Sequence, residues 1–139
     1  GNAFQFCYSL ASVVISNSVT SIDSNAFNSC YSLASVVISN SVTSIVERAF
    51  QNCYSLASVV ISNSVTSIRE YAFNGCNGVA FYDFSQSSAV PSLANTNAFT
   101  NIPSDCKIIV PDALYDTWIA ATNWSTYASK IVKDSEFIR

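Results

Sequence analysis

Cys7–Ile22 reads CYSLASVVISNSVTSI, and the same sixteen residues recur unchanged at Cys30–Ile45 and Cys53–Ile68. The period is 23 residues. Seven variable residues separate the copies: DSNAFNS from position 23, VERAFQN from 46 and REYAFNG from 69. Each interval keeps Ala-Phe in one place, at Ala26-Phe27, Ala49-Phe50 and Ala72-Phe73, and Ala3-Phe4 precedes the first copy. A divergent fourth copy starts at Cys76 as CNGVAFYDF. A fixed period of this length is the mark of a stacked solenoid, because one unit cannot bury its apolar residues alone.

Within a unit, Leu10-Ala11-Ser12-Val13-Val14-Ile15 reads as a strand whose alternate side chains face opposite ways. Leu10, Val13 and Ile15 turn inward, and Ser12 and Val14 outward. Val19 and Ile22 form a second inward pair on the next side of the coil. Ala26 and Phe27 form a third, on a short 3₁₀ or helical turn. Stacked units place the strands in parallel about 4.8 Å apart. A 23-residue unit lies within the 20–29 residues of leucine-rich repeats.

The pattern L-x-x-V-x-I, then S-V-T-S-I, then A-F-x-x-C resembles the BspA-type leucine-rich repeat over residues 1–84. Residues 98–131, AFTNIPSDCKIIVPDALYDTWIAATNWSTYASKI, resemble the C-terminal cap of that family. The family often has Pro after the strand isoleucine, where this chain has Ser16, Ser39 and Ser62. It often has Gly after the S-I pair, where this chain has Asp23, Val46 and Arg69. Asn17, Asn40 and Asn63 are then the turn residues. The resemblance implies a secreted or cell-surface protein that binds other proteins or a matrix.

The expected fold is an α/β leucine-rich-repeat solenoid of 23-residue repeats, with a parallel β-sheet on the concave face and a C-terminal cap with one short helix. Residues 1–84 form the repeats and 85–139 the cap, within one domain. The polar stretch SQSSAVPSLANTN, from 85 to 97, reads as a loop, and KIIV before Pro111 as a last strand. From Asp112 the spacing of Leu114, Trp118 and Ala121 predicts a helix, with Pro111 at its first position. Trp124 and Tyr127 fold back beneath it. Ten of the fifteen charged residues lie in 83–139, which suits an element that shields the open end of a solenoid. The chain opens inside a repeat. Gly1 reads as an artificial leading residue, and the natural protein as extending upstream, where its signal peptide would stand.

Composition narrows the function. Half of the 139 residues are hydrophobic, 11% are charged, and the net charge is −3. No basic face is available for nucleic acid, and no apolar run reaches the 18 residues of a membrane span. There is no His, which removes the commonest general base and metal ligand. No G-x-S-x-G occurs, the lysines are Lys107, Lys130 and Lys133 in the cap, and Gly occurs only at 1, 75 and 78. Neither a nucleophilic triad nor a phosphate loop is encoded. The reading is a non-enzyme with no cofactor and no metal site.

Three ladders remain. Cys7, Cys30, Cys53 and Cys76 could suggest a metal site or a chain of disulfides. However, four thiols strung along a solenoid cannot converge on one ion, and parallel Cβ vectors suit disulfides poorly. They read as buried free thiols, while Cys106 lies outside the register. Tyr8, Tyr31 and Tyr54 form an aromatic strip, either a shield for the coil's edge or a platform for a sugar ring or a partner side chain. On the outward strand face, Val14, Val37 and Val60 continue by register to Phe81 and Asp83, giving a candidate binding surface with Phe81 at its exposed end. The tripeptides Asp23-Ser24-Asn25, Val46-Glu47-Arg48 and Arg69-Glu70-Tyr71 read as solvated turns. Asn123-Trp124-Ser125 matches a glycosylation sequon, although Trp124 also suits an anchor of the cap.

Function therefore reads as a protein-binding or adhesion module with a protein, matrix or glycan ligand. The alternative is a structural spacer with no ligand of its own, which the near-identity of the copies suits.

Overall fold

Two parallel ladders wind through the computed structural model, which describes residues 2–139. Gly1, and with it the question of an artificial leading residue, lies outside the described residues. The first coil contributes strands Ser12–Val14 (β1) and Ser21–Ile22 (β2), and the second Ser35–Val37 (β3) and Ser44–Ile45 (β4). The third contributes Ser58–Val60 (β5) and Ser67–Ile68 (β6), and the fourth Phe81–Asp83 (β7) and Ser92–Leu93 (β8). Lys107–Val110 (β9) and Ile131–Lys133 (β10) follow. The larger sheet runs β1-β3-β5-β7-β9-β10, and the smaller β2-β4-β6-β8. Equivalent residues stack on one another: Ser12 on Ser35, Val14 on Val37, Ser58 on Phe81 and Val60 on Asp83.

Strand alternation decides what is inside. In the second and third coils the first side buries Leu33, Val36 and Ile38, then Leu56, Val59 and Ile61. Val42 and Ile45, then Val65 and Ile68, are buried from the second side. That second pair lies on a parallel sheet of its own, beyond the single sheet of the sequence-based expectation. The corner between the sheets is a turn closed by Val19 N–H to the Ser16 carbonyl at 3.1 Å, and by Val42 N–H to Ser39 at 3.2 Å. Asn17 and Asn40 sit in these turns. The hydroxyls of Ser16 and Ser18, and of Ser39 and Ser41, bond across the turn at 2.8 Å. Serine thus supplies by hydrogen bonding what a proline ring would supply by restricting φ.

The third side is not helical in the first four coils, contrary to expectation. It is a run of overlapping turns, with Ala26 N–H to Asp23 O, Asn28 N–H to Asn25 O and Cys30 N–H to Phe27 O. The intervening N–H groups of Asn25, Phe27 and Ser29 donate to Glu47, Ala49 and Gln51 of the next coil at 3.0, 2.8 and 2.7 Å. Asn25 and Ser29 hold φ of 59° and 61°, as do their counterparts Arg48, Asn52 and Tyr71 at 57–60° and Gly75 at 79°. Left-handed residues interrupt helical bonding and turn alternate amides toward the neighbouring coil. The fifth coil does adopt a 3₁₀ turn, Thr96–Phe99, capped by the Asn95 side chain accepting from Asn97 N–H at 3.0 Å. Inside this side, Phe4, Phe27, Phe50, Phe73 and Phe99 stack with ring centroids 5.3–5.5 Å apart and planes within 8°.

The cap is partly a continuation of the coils. Residues 85–97, expected as a loop, hold β8, which pairs Ser92 with Ser67 and Leu93 with Ile68. Its offset of 25 rather than 23 residues breaks the sequence period while the side chains still point inward. Asp112–Leu114 is a 3₁₀ turn leading into a short α-helix, Tyr115–Ala120 (α1), with Trp118 buried and Leu114 and Ala121 half-buried. Pro111 stands just before the turn rather than at its first position. Trp118 and Trp124 meet at 5.3 Å, and both pack on Phe84, at 5.2 and 5.5 Å. After a 3₁₀ stretch, Trp124–Lys130, the chain adds β10 in parallel to β9, Ile131 facing Ile108. No sequence period marks that edge strand.

Candidate functional site

The outward positions of the larger sheet close progressively toward the cap. Val14, Val37 and Val60 are 75%, 58% and 46% exposed. Asp83, next in register, is 6% exposed, and Ile109, which faces it on β9, is fully buried. The first three copies therefore present a valine stripe flanked by Ser12, Ser35 and Ser58, and the fourth does not.

The cause is the chain's own tail, and it overturns the expectation that Phe81 and Asp83 form the free end of the surface. Both hold the expected register opposite Ser58 and Val60. However, Phe137 packs edge-on to Phe81 at 5.5 Å, leaving Phe81 half-buried. Arg139 Nε donates to Asp83 Oδ2 at 2.9 Å, and Ser85 N–H donates to Asp83 Oδ1, also at 2.9 Å. Arg139 bonds Asp134 as well, at 2.6 Å. Burial pushes the Asp83 carboxyl up. The Arg139 guanidinium and the Ser85 bonds outweigh it and hold the group below its ordinary value. The contacts that cover these residues join positions 56 apart, so no local pattern announces them.

The tyrosine strip forms as expected. Tyr8, Tyr31 and Tyr54 stack at 4.9 Å with planes within 17°, and all three are exposed. Phe6 adds a tilted ring at 6.2 Å from Tyr8. Rings stacked face to face cover one another's faces, so along its length the strip offers edges and hydroxyls. An apolar sugar face needs an open ring face, and Tyr54, beside Asn77 in the next coil, ends the stack.

Six copies of the BspA type leucine rich repeat region match the chain, over residues 1–117. The chain belongs to the BspA-type leucine-rich repeat family. The match runs beyond residue 84, through β8 and β9. Among solved structures, a leucine-rich repeat protein from Bacteroides ovatus is similar at 26% identity, with a TM-score of 0.55 over 81% of this chain. This chain spans 25% of the length of that protein. No match is found among curated proteins.

The other candidate groups of this BspA-type chain are taken up by its architecture. The buried thiols of Cys30, Cys53 and Cys76 donate to the carbonyls of Phe4, Phe27 and Phe50 at 3.0–3.2 Å. Cys7, at the end of the row, is half-buried, and all five cysteines are free. Burial pushes the Cys106 thiol up to about 12. Among the described residues no three His, Cys, Asp or Glu side chains cluster as metal ligands, and no helix is long and apolar enough to cross a membrane. Lys130 Nζ donates to the carbonyls of Pro103 and Ser104 at 3.0 and 2.9 Å.

The variable tripeptides hold adjacent ion pairs, Glu47–Arg48 and Arg69–Glu70, and Arg48 lies 4.8 Å over the Tyr71 ring. They are largely half-buried rather than fully solvated. In the sequon, Asn123 Nδ2 donates to Leu93 O at 2.7 Å and Trp124 Nε1 to Pro91 O at 2.8 Å. The amide that glycosylation would modify ties α1's side of the cap to β8.

Proposed function

We propose that this chain is a binding module of a secreted or cell-surface protein, taking a protein or matrix partner on the outward face of the larger sheet along Val14, Val37 and Val60. One observation carries the reading: three valines of equivalent position stand exposed in one line on a face otherwise built from serine and alanine. Solenoids present such faces to partners, and a contiguous exposed apolar stripe marks interaction surfaces. Burying one valine side chain is worth about 1.5 kcal/mol, so three in line support binding without large or charged neighbours.

The spacer reading keeps one observation of its own. The first three coils repeat the same outward residues, and a surface selected for one ligand ordinarily varies along its length. An array of purified matrix proteins and glycans separates the two. The binding reading expects at least one protein captured by the wild-type chain and lost when Val37→Asp and Val60→Asp are introduced together with an unchanged melting temperature. Capture of nothing, or capture indifferent to both changes, supports the spacer.

A further inference from the structure

The outward face ends at a seat made by Phe81 and Asp83, which the last residues of the chain fill. The two side chains are i and i+2 on β7, on the same side of the strand. The residues that fill the seat repeat this spacing. Phe137 lies against Phe81, Arg139 against Asp83, and Ile138 between them is 95% exposed. Residues 137–139 thus pass over β7 in its own direction, side chain matched to side chain. The nearby backbone bonds are Phe137 N–H to Asp134 O at 3.3 Å and Ser135 N–H to the Asp112 carboxylate at 3.1 Å. Neither goes to the larger sheet, so lifting this segment breaks neither bond of a β-ladder.

We propose that Phe81 and Asp83 form a docking site for an extended segment carrying an aromatic residue and, two positions later, an arginine, and that residues 137–139 hold this site closed in cis. Asp83 supplies a nearly buried carboxylate, and Phe81 an apolar shelf beside it. Guanidinium matches a carboxylate with a rigid planar fork and sheds water more easily than ammonium, so arginine is selected over lysine. A neutral residue at that position leaves a buried charge unpaired. The tail and an outside segment exclude one another, so the tail weakens outside binding by the fraction of time it is seated. This site is read from charge and aromatic contact at the cap end, and does not depend on the valine stripe.

The test uses the full chain opened by Phe137→Ala with Arg139→Ala, its fold checked by thermal melting. The probe is the dye-labelled peptide Asp-Ser-Glu-Phe-Ile-Arg, the sequence of residues 134–139. The opened chain should bind it saturably, and the wild type at least tenfold more weakly. Adding Asp83→Asn to the opened chain should weaken binding at least tenfold, with Phe81→Ser as the second variant if the first melts. A peptide ending in Lys should bind several-fold more weakly. Equal affinity for wild-type and opened chains, indifference to both seat variants, or no saturation at millimolar peptide overturns the proposal. Val37→Asp in the opened chain should leave peptide binding unchanged, which separates this result from the fate of the valine stripe.

Discussion

Arg139 closes an ion pair on Asp83 from 56 residues away, its Nε 2.9 Å from Oδ2. The pair ties the end of the described chain to the fourth coil and turns a position that is open valine in three coils into a covered carboxylate. Asp83 is almost enclosed while Arg139 stays partly in water, so the pair acts chiefly by keeping a buried charge partnered.

This arrangement sets a pH dependence. Asp83 titrates below its ordinary value in the folded chain, through Arg139 and Ser85 acting against burial. Asp112, which accepts from Ser135 N–H, is also lowered. A depressed folded value stabilises above the unfolded pKa, about 3.9 for aspartate, and that stability is lost as pH falls from there through the folded value. Melting temperature should therefore be insensitive to these groups between pH 5 and 7, as order-of-magnitude limits, and drop below about 4. The drop should be smaller in Asp83→Asn. Parallel wild-type and variant curves would remove the pair from the account.

The thiol row should be inert while folded. The thiolate is the reactive species. Burial and neighbouring thiols push the Cys30 and Cys53 groups up, and Cys106 rises to about 12. At pH 8 an aromatic disulfide reagent should react slowly with the native chain, Cys7 first, and release five equivalents once the chain is denatured without reductant. A count of one thiol after denaturation would mean that the row is oxidised.

Phenylalanine substitutions should report position in the stack. Phe50 is fully buried between Phe27 and Phe73, at 5.3 and 5.4 Å. Phe50→Ala should cost about 3–5 kcal/mol in urea unfolding. Phe4, 43% exposed with one stacking partner, should cost less than half of that. Equal losses would show that stacking and burial are not what the row contributes.

Restoring the repeat at Gly78 should destabilise the chain. Ser9, Ser32 and Ser55 hold the equivalent position, yet a Cβ at Gly78 would lie 2.7 Å from the Tyr54 carbonyl oxygen. Backbone there cannot move as a side-chain tip can, so Gly78→Ser should cost about 1–3 kcal/mol. A neutral result in chemical denaturation would show that the fourth coil relaxes onto the geometry of the others.

Where residues 7–68 repeat, the sequence was enough to read inside from outside. Leu33, Val36, Ile38, Val42, Ile45 and Phe50 are buried, and Val37 and Tyr31 exposed, as alternation and stacking required. Each of those side chains meets its own counterpart one coil away, so pattern and environment carry the same information. The third side was misread as helical because its left-handed residues are mostly Asn, Ser, Arg and Tyr rather than the Gly that marks such a backbone.

What tertiary structure alone decided lies where the period fails. β8 sits two residues beyond its expected offset, β10 joins the sheet from outside any repeat, and the tail lays Phe137 and Arg139 over Phe81 and Asp83. The sequence by itself determined the solenoid, its inward residues and the line of Val14, Val37 and Val60, because each follows from contacts between identical neighbours. It could not determine that the line stops at Val60. That depends on a single pairing between unrelated segments, whose energy arises only when the folded coil brings a carboxylate on its fourth strand within reach of a guanidinium at the end of its cap.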